Sequence, residues 1–212
     1  MKQYDLQVHT NASPCSRASP GDIIDAALDA GLDGIAITDH DTLAGYDEVA
    51  ERAPADLTVI PGTEVTTTQG HLLALFVETE PPKADPITVI DHVHDQGGVA
   101  ILSHPFDRLR EHYSTDLEMI ASRVDAVETQ NSRCLLPRFN RRAKEFADRH
   151  ALAVTGGSDA HFPMEVGRST TVCTGQLRDA IESRSTRTTG RGGYVTGHVA
   201  TKLNDLLRTV NL

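Results

Sequence analysis

The sequence predicts an α/β fold in which short apolar strands alternate with helices, closed as a barrel or spread as an open doubly wound sheet. Three observations carry this. Seven β-like runs are separated by stretches with helical caps and helical spacing, the pattern of βα units. The 212 residues suit one compact domain, short of the roughly 250 typical of an eight-stranded barrel. Polar residues with chemical potential sit at the ends of the apolar runs, where parallel α/β folds build their sites.

The elements follow in order. Residues 5–8 form a short strand. Ser19-Pro20-Gly21-Asp22 opens a helix, with Ser19 as N-cap, Pro20 in the first turn and Asp22 at the positive end of the dipole. Ile23, Ala27 and Leu28 make its apolar face, and Gly31 ends it. Residues 34–38 (GIAIT), 57–60 and 71–77 (HLLALFV) are the next strands. Asp85-Pro86 caps a helix that stops at Gly97-Gly98. Strands at 99–102 and 124–127 precede a helix from Pro137 to about His150, and 151–154 is the seventh strand. Residues 176–182 read as helix. Residues 183–197, rich in Ser, Thr, Arg and Gly, read as a loop or mobile linker. Beyond it, Val199, Leu203, Leu206, Leu207 and Val210 repeat at helical spacing, as in a C-terminal helix packed back on the domain or, alternatively, a partner-binding helix.

Composition bounds the function. No apolar run reaches the roughly 18–20 residues of a membrane helix, and the N-terminus lacks a signal-peptide apolar region. A soluble, cytoplasmic protein is expected. Three cysteines, Cys15, Cys134 and Cys173, are odd in number and far apart, which argues against a disulfide scaffold. The net charge of −10 disfavours sequence-independent nucleic-acid binding, though a local positive site made by metals or a few Arg can still attract phosphates. High acidity with few Lys suits solubility in high salt or, equally, an ordinary acidic cytosolic protein.

The rim is the informative part. Strand one ends in Gln7-Val8-His9, strand two in Asp39-His40-Asp41 and strand three in Gly62-Thr63-Glu64. His71 heads the fourth. Strand five ends in Ser103-His104-Pro105, strand six in Glu128-Thr129-Gln130-Asn131 and strand seven in Ser158-Asp159-Ala160-His161. Imidazoles and carboxylates converging on one rim are most economically explained by a divalent-metal site. His92, His94, His112, His150 and His198 fall in helices or loops and read as surface or packing residues.

These stretches carry a resemblance. DLQVHT (5–10), AITDHDT (36–42), PGTEV (61–65), GHLLAL (70–75), ILSHPF (101–106), VETQNSR (127–133) and GSDAH (157–161) resemble, in order, the motifs of the PHP (polymerase and histidinol phosphatase) domain family of metal-dependent phosphoesterases. The resemblance, which runs from about residue 4 to 171, implies a distorted seven-stranded (β/α)7 barrel of TIM-like type; the domain is expected over residues 1–182, with residues 183–212 as an Arg/Gly/Thr-rich segment and C-terminal helix packed on it. It implies two or three divalent ions (Zn, Mn, Fe or Mg) at the C-terminal end of the strands, and hydrolysis of phosphate esters.

Carried over by motif, the implied ligands are His9, His40, Glu64 as a bridge, His71, His104, Asp159 and His161. The first motif departs from the family's His-x-His, because Gln7 stands at its first position. An amide oxygen is a weaker donor than imidazole, which puts the first ion, on His9, Glu64 and Asp159, in question. Cys15 falls where some members carry a further ligand, and its thiolate would join His40 and His161 on a third ion. Asp39 reads as an orienting residue.

Implied catalytic residues are Glu64, with His104 or His161 for leaving-group protonation, and Arg133 as a phosphate partner. Arg168 is a second candidate for that role, and Asn131 lies in the same rim. The expected partner is a small phosphorylated substrate, nucleotide-like monophosphates among them. Two alternatives stand beside this reading: a degenerate metal-binding module with a regulatory or partner role, which Gln7 favours, and a nuclease acting on single strands.

Overall fold

The computed structural model describes residues 1–193. Its backbone is one nine-stranded sheet in the order β7-β6-β5-β4-β3-β2-β1-β8-β9. The strands are β1 (Lys2–Val8), β2 (Gly34–Ile37), β3 (Thr58–Thr66), β4 (His71–Leu75), β5 (Val99–Leu102), β6 (Ala126–Asn131), β7 (Ala153–Gly157), β8 (Ser169–Cys173) and β9 (Arg187–Gly190). The helices are α1 (Pro20–Asp29), α2 (Ala44–Arg52), α3 (Pro86–Asp95), α4 (Leu117–Ala121), α5 (Pro137–His150) and α6 (Leu177–Glu182).

All seven expected strands are present, and the sheet curls into a nearly closed barrel. The seam forms at the rim, where Ala160 donates its N–H to Gln7 O at 3.2 Å and His9 donates to Ala160 O at 2.9 Å. Farther down, β8 enters between β1 and β7. It pairs antiparallel with β1, and Thr171 Oγ1 both accepts from Gly156 N and donates to Gly156 O.

Three expectations need correction. Among the described residues the strand count is nine, because β8 and β9 add to the seven. The loop expected at residues 183–197 holds β9, antiparallel to β8, over Arg187–Gly190. The sheet is mixed, since β4 runs antiparallel to both β3 and β5. That reversal is why His71, at the start of its strand, reaches the same rim as residues that end theirs. The C-terminal helix expected around residues 199–210, and His198, lie outside the described residues.

Sequence chemistry explains the elements that were legible. Ser19 Oγ accepts from Asp22 N at 3.2 Å at the start of α1. Asp85 Oδ1 accepts from Ile87 N and Thr88 N at the start of α3. By contrast, α2 and α4 have no side-chain cap, and neither was anticipated. Strand side chains alternate as the pleat requires. Leu6, Ala36, Leu73, Leu75 and Ile101 fill the barrel, which α6 closes from below with Leu177, Ala180 and Ile181. Ile35 and Ile37 face α1, while Leu72, Ala100 and Leu102 face α3 and α5. Among the described residues, no helix is long and apolar enough to cross a membrane.

Candidate metal centre

Glu64, near the end of β3, is buried at the middle of the rim. Its Oε1 lies 2.9 Å from Ser103 Oγ, 3.2 Å from His104 Nε2 and 3.4 Å from His71 Nδ1. Its Oε2 lies 3.2 Å from His9 Nε2 and 3.7 Å from His40 Nε2. Asp159 adds Oδ1 at 3.4 Å from His9 Nε2 and 3.5 Å from His161 Nδ1. Among the described residues, three groups of donor atoms arise, each within 4.8 Å of one another: Glu64, His71 and His104; His9, Glu64 and Asp159; and His9, Cys15, His40 and His161.

The scaffold behind these side chains is polar and nearly saturated. Asp39 accepts at Oδ1 from Thr10 N (2.8 Å) and Ser13 Oγ (2.6 Å), and at Oδ2 from Thr10 Oγ1 (2.7 Å). Ser13 Oγ in turn accepts from His40 N at 2.9 Å and meets His9 Nδ1 at 3.4 Å, so Asp39 positions the His9 imidazole and the His40 backbone through Ser13. Only glycine fits at position 45, because a Cβ there would lie 2.1 Å from Asp39 Oδ2. His161 donates from Nδ1 to Asp159 O at 2.8 Å, which leaves Nε2 for the Cys15 group. His104 (φ 28°) and Asp159 (φ 57°) both hold left-handed backbone, a strain of the kind that persists where surrounding structure enforces it.

Charge completes the site. Burial alone would raise the Glu64 carboxyl, but His40, His71, His104 and His9 hold it well below the usual carboxylate range. Asp159 behaves likewise: burial opposes ionisation, and Arg110, His9 and His161 more than offset it. Burial lowers His40, His104 and His161, whereas at His9 burial is outweighed by the Asp159 and Glu64 carboxylates, which hold the imidazole well above its usual range, so an ion bound there must displace a proton.

The donor set fits divalent ions, and two orphaned atoms say so. Buried His9 Nε2 and His71 Nδ1 have no hydrogen-bond partner, although each faces carboxylate oxygen at ion-pair distance. A nitrogen so placed is satisfied by an ion shared with those oxygens.

Gln7 is turned elsewhere. Its Nε2 donates to Ser103 Oγ at 3.2 Å, and its Oε1 accepts from Asn131 Nδ2 at 3.1 Å. The amide braces Glu64 through Ser103 instead of presenting a free oxygen. Arg133 is 3% exposed and its Nε donates to Glu165 Oε1 at 3.2 Å. Arg168 is exposed. Of the other histidines, His94 Nε2 pairs with Asp125 at 2.9 Å and His150 packs on Phe146, in line with surface and packing roles.

Sequence reasoning gave no role to three residues of the rim, Arg110, Glu128 and Glu165. Arg110 donates from Nη1 to Asp159 Oδ2 at 2.5 Å and from Nε to Asp107 Oδ2 at 3.1 Å. Glu128 is buried, accepts from His104 N and Asn131 Nδ2, and is pushed well above the usual range by burial and Asp159. Glu165 Oε2 accepts from His161 N at 2.7 Å and fixes that loop. Only Glu128 carried a signal, standing inside the rim segment VETQNSR; Arg110 and Glu165 lie outside every such segment.

Comparison with other proteins agrees with this architecture. A family model described as PHP-associated matches residues 137–185. An uncharacterized protein of Methanocaldococcus jannaschii is 33% identical over 173 residues, covering 79% of this chain and 68% of that one. A 5'-3' exoribonuclease of Haemophilus influenzae is 36% identical over 88 residues, 39% of this chain and 31% of its own. A two-domain protein from Bacteroides vulgatus, containing a predicted PHP-like metal-dependent phosphoesterase, superimposes with a TM-score of 0.78 at 20% identity. That match covers 90% of this chain, which spans 65% of the two-domain protein's length. A mixed α/β barrel with an imidazole–carboxylate rim defines the class, and the chain belongs to the PHP domain family.

Proposed function

We propose that the protein is a metal-dependent phosphoesterase that hydrolyses small phosphate monoesters, nucleotide-like ones included, with two or three divalent ions on the rim. The observation that carries this is Glu64, whose two oxygens face four imidazoles across two sides of one buried carboxylate. Bound there, divalent ions supply a water of lowered pKa and positive charge for the phosphoryl oxygens. Zinc, manganese, iron and magnesium are the candidates, and the imidazole-rich set with Cys15 favours the first three.

The chain's own residues divide the work. Glu64 and Asp159 hold negative charge between the imidazoles. His9, His40, His71, His104 and His161 present nitrogens, and Cys15 a thiol. His104 and His161, whose protonation burial disfavours, serve the ions as donors rather than the leaving group as acids. Arg133 balances charge beside His161 from its place on Glu165. We assign the catalytic unit to residues 1–182, with β9 as an added outer strand, and place the protein in the cytoplasm, where its free cysteines would stay reduced.

A second reading, cleavage at the ends of single-stranded RNA, is favoured by the similarity to the Haemophilus influenzae exoribonuclease. The net charge of −10 weighs against it. The test is phosphate release from chelator-stripped protein reloaded with Mn, Zn, Fe or Mg, over phosphomonoesters, nucleoside bisphosphates and a single-stranded oligoribonucleotide. Metal-restored release from the small esters supports the proposal. Release from the oligonucleotide alone transfers it to the second reading, and no release with any metal favours a degenerate, regulatory module.

A further inference from the structure

A half-buried arginine is built into the rim. Arg110 lies in the loop after β5, which turns twice in succession: Asp107 N donates to His104 O at 3.1 Å, and Arg110 N donates to Asp107 O at 3.0 Å. The side chain then reaches inward and is 19% exposed. Its three anchors come from three elements: Asp159 Oδ2 at 2.5 Å, Asp107 Oδ2 at 3.1 Å and Asn131 Oδ1 at 3.3 Å. Asp107, Asn131 and Asp159 are all buried, so the guanidinium fork is fixed on every side it uses.

This arrangement bears unequally on the three donor groups. Asp159 Oδ2 also receives Asn131 Nδ2 at 3.3 Å, so only Oδ1 faces His9. Gln7, two residues before His9 on the same strand face, has both ends of its amide occupied by Asn131 and Ser103. The group of His9, Glu64 and Asp159 therefore offers three donor atoms, with a permanent positive charge bonded to one of its carboxylates. A dication placed there meets like charge in a site from which water is largely excluded.

We propose that Arg110 is the resident cation of this centre. It takes over the positive charge at the His9–Glu64–Asp159 position, so the chain holds two ions tightly and a third only weakly. The tight positions are Glu64–His71–His104 and His9–Cys15–His40–His161. The inference rests on the reading of the rim as a metal centre.

The experiment is a titration of chelator-stripped, full-length protein with Mn(II) or Zn(II), read by equilibrium dialysis and elemental analysis. Wild type is expected to bind two ions per chain, with a third weaker by roughly 10–100-fold. Arg110→Met keeps an unbranched apolar stem and removes the charge, and should tighten the third ion by a similar factor and bring the count to three. Arg110→Lys keeps the charge and should stay at two. Three equally tight ions in wild type would overturn the proposal, as would a folded Arg110→Met that still binds two. Should Arg110→Met fail to fold with Asp107 left unpaired, Asp107→Asn/Arg110→Met removes that carboxylate as well, and the wild-type count decides independently. One ion or none in wild type would overturn the metal-centre reading itself.

Discussion

Glu64→Gln is the most informative single change. It keeps the shape of the side chain and removes one charge from a carboxylate whose two oxygens lie 3.2–3.7 Å from His9, His40, His71 and His104. Charges about 4 Å apart at an effective dielectric near 20 attract by about 4 kcal/mol per unit pair. An ion between Glu64, His71 and His104 should therefore weaken by at least about 4 kcal/mol, or roughly 10³-fold at 1.36 kcal/mol per decade. The His9–Cys15–His40–His161 position loses less, because Glu64 reaches it only through Oε2. Binding is read by competition titration with a fluorescent chelator, and phosphate release is read on the same samples. Turnover at limiting metal should fall by roughly 10³-fold or more with the far-ultraviolet dichroism unchanged. Wild-type metal affinity in the folded variant would refute the argument, because no buried carboxylate between four imidazoles can lose its charge without consequence for a shared ion.

Three further outcomes follow from the same geometry. Gln7→His gives up the contacts to Asn131 and Ser103 but offers an imidazole beside His9, and should tighten the His9–Glu64–Asp159 position by about tenfold in the same titration; no change would show that position 7 does not face the ions. Asp39→Ala strands Thr10 N, Thr10 Oγ1 and Ser13 Oγ, and should lower stability by about 3 kcal/mol or more in urea denaturation; a change under 1 kcal/mol would remove Asp39 from its orienting role. Asp5, fully buried beneath Gln7, Ser158 and Gly167 N–H groups, has its carboxyl raised by desolvation from 3.8 to about 6. A raised acid binds protons more tightly in the folded state, so its contribution is favourable below about pH 4 and is lost as pH rises through 6. The stability of Asp5→Asn relative to wild type should therefore improve by about 3 kcal/mol between pH 3.5 and 7, from 2.2 units at 1.36 kcal/mol each; a pH-independent difference would contradict it.

Much of the fold was legible because the strands that build the barrel are apolar and short. GIAIT and HLLALFV announce themselves, and Ser19-Pro20 and Asp85-Pro86 cap their helices with side chains. The rim was legible for a related reason: His9, His40, Glu64, His104 and Asp159 interrupt apolar runs at places where a core residue would otherwise stand. What escaped lacks such contrast. The strands STTVC and RTTG are carried by β-branched threonine among Arg and Gly, and their register depends on β1 rather than on local pattern. The direction of β4 was invisible, since HLLAL reads the same either way; only the sheet shows why His71 faces Glu64. Arg110 and Glu165 sit in loops without periodicity, and their partners Asp159 and Arg133 are 49 and 32 residues away. Such pairings are tertiary and have no local signature.

The central claim is that the rim binds divalent ions between its imidazoles and carboxylates. Anomalous diffraction at the manganese edge from crystals grown with Mn(II) tests it most directly. The account predicts one peak within coordination distance, about 2.0–2.3 Å, of Glu64 Oε1 and the His71 and His104 nitrogens, and a second among Cys15, His9, His40 and His161. Well-ordered density for those side chains with no anomalous peak at either position would contradict it.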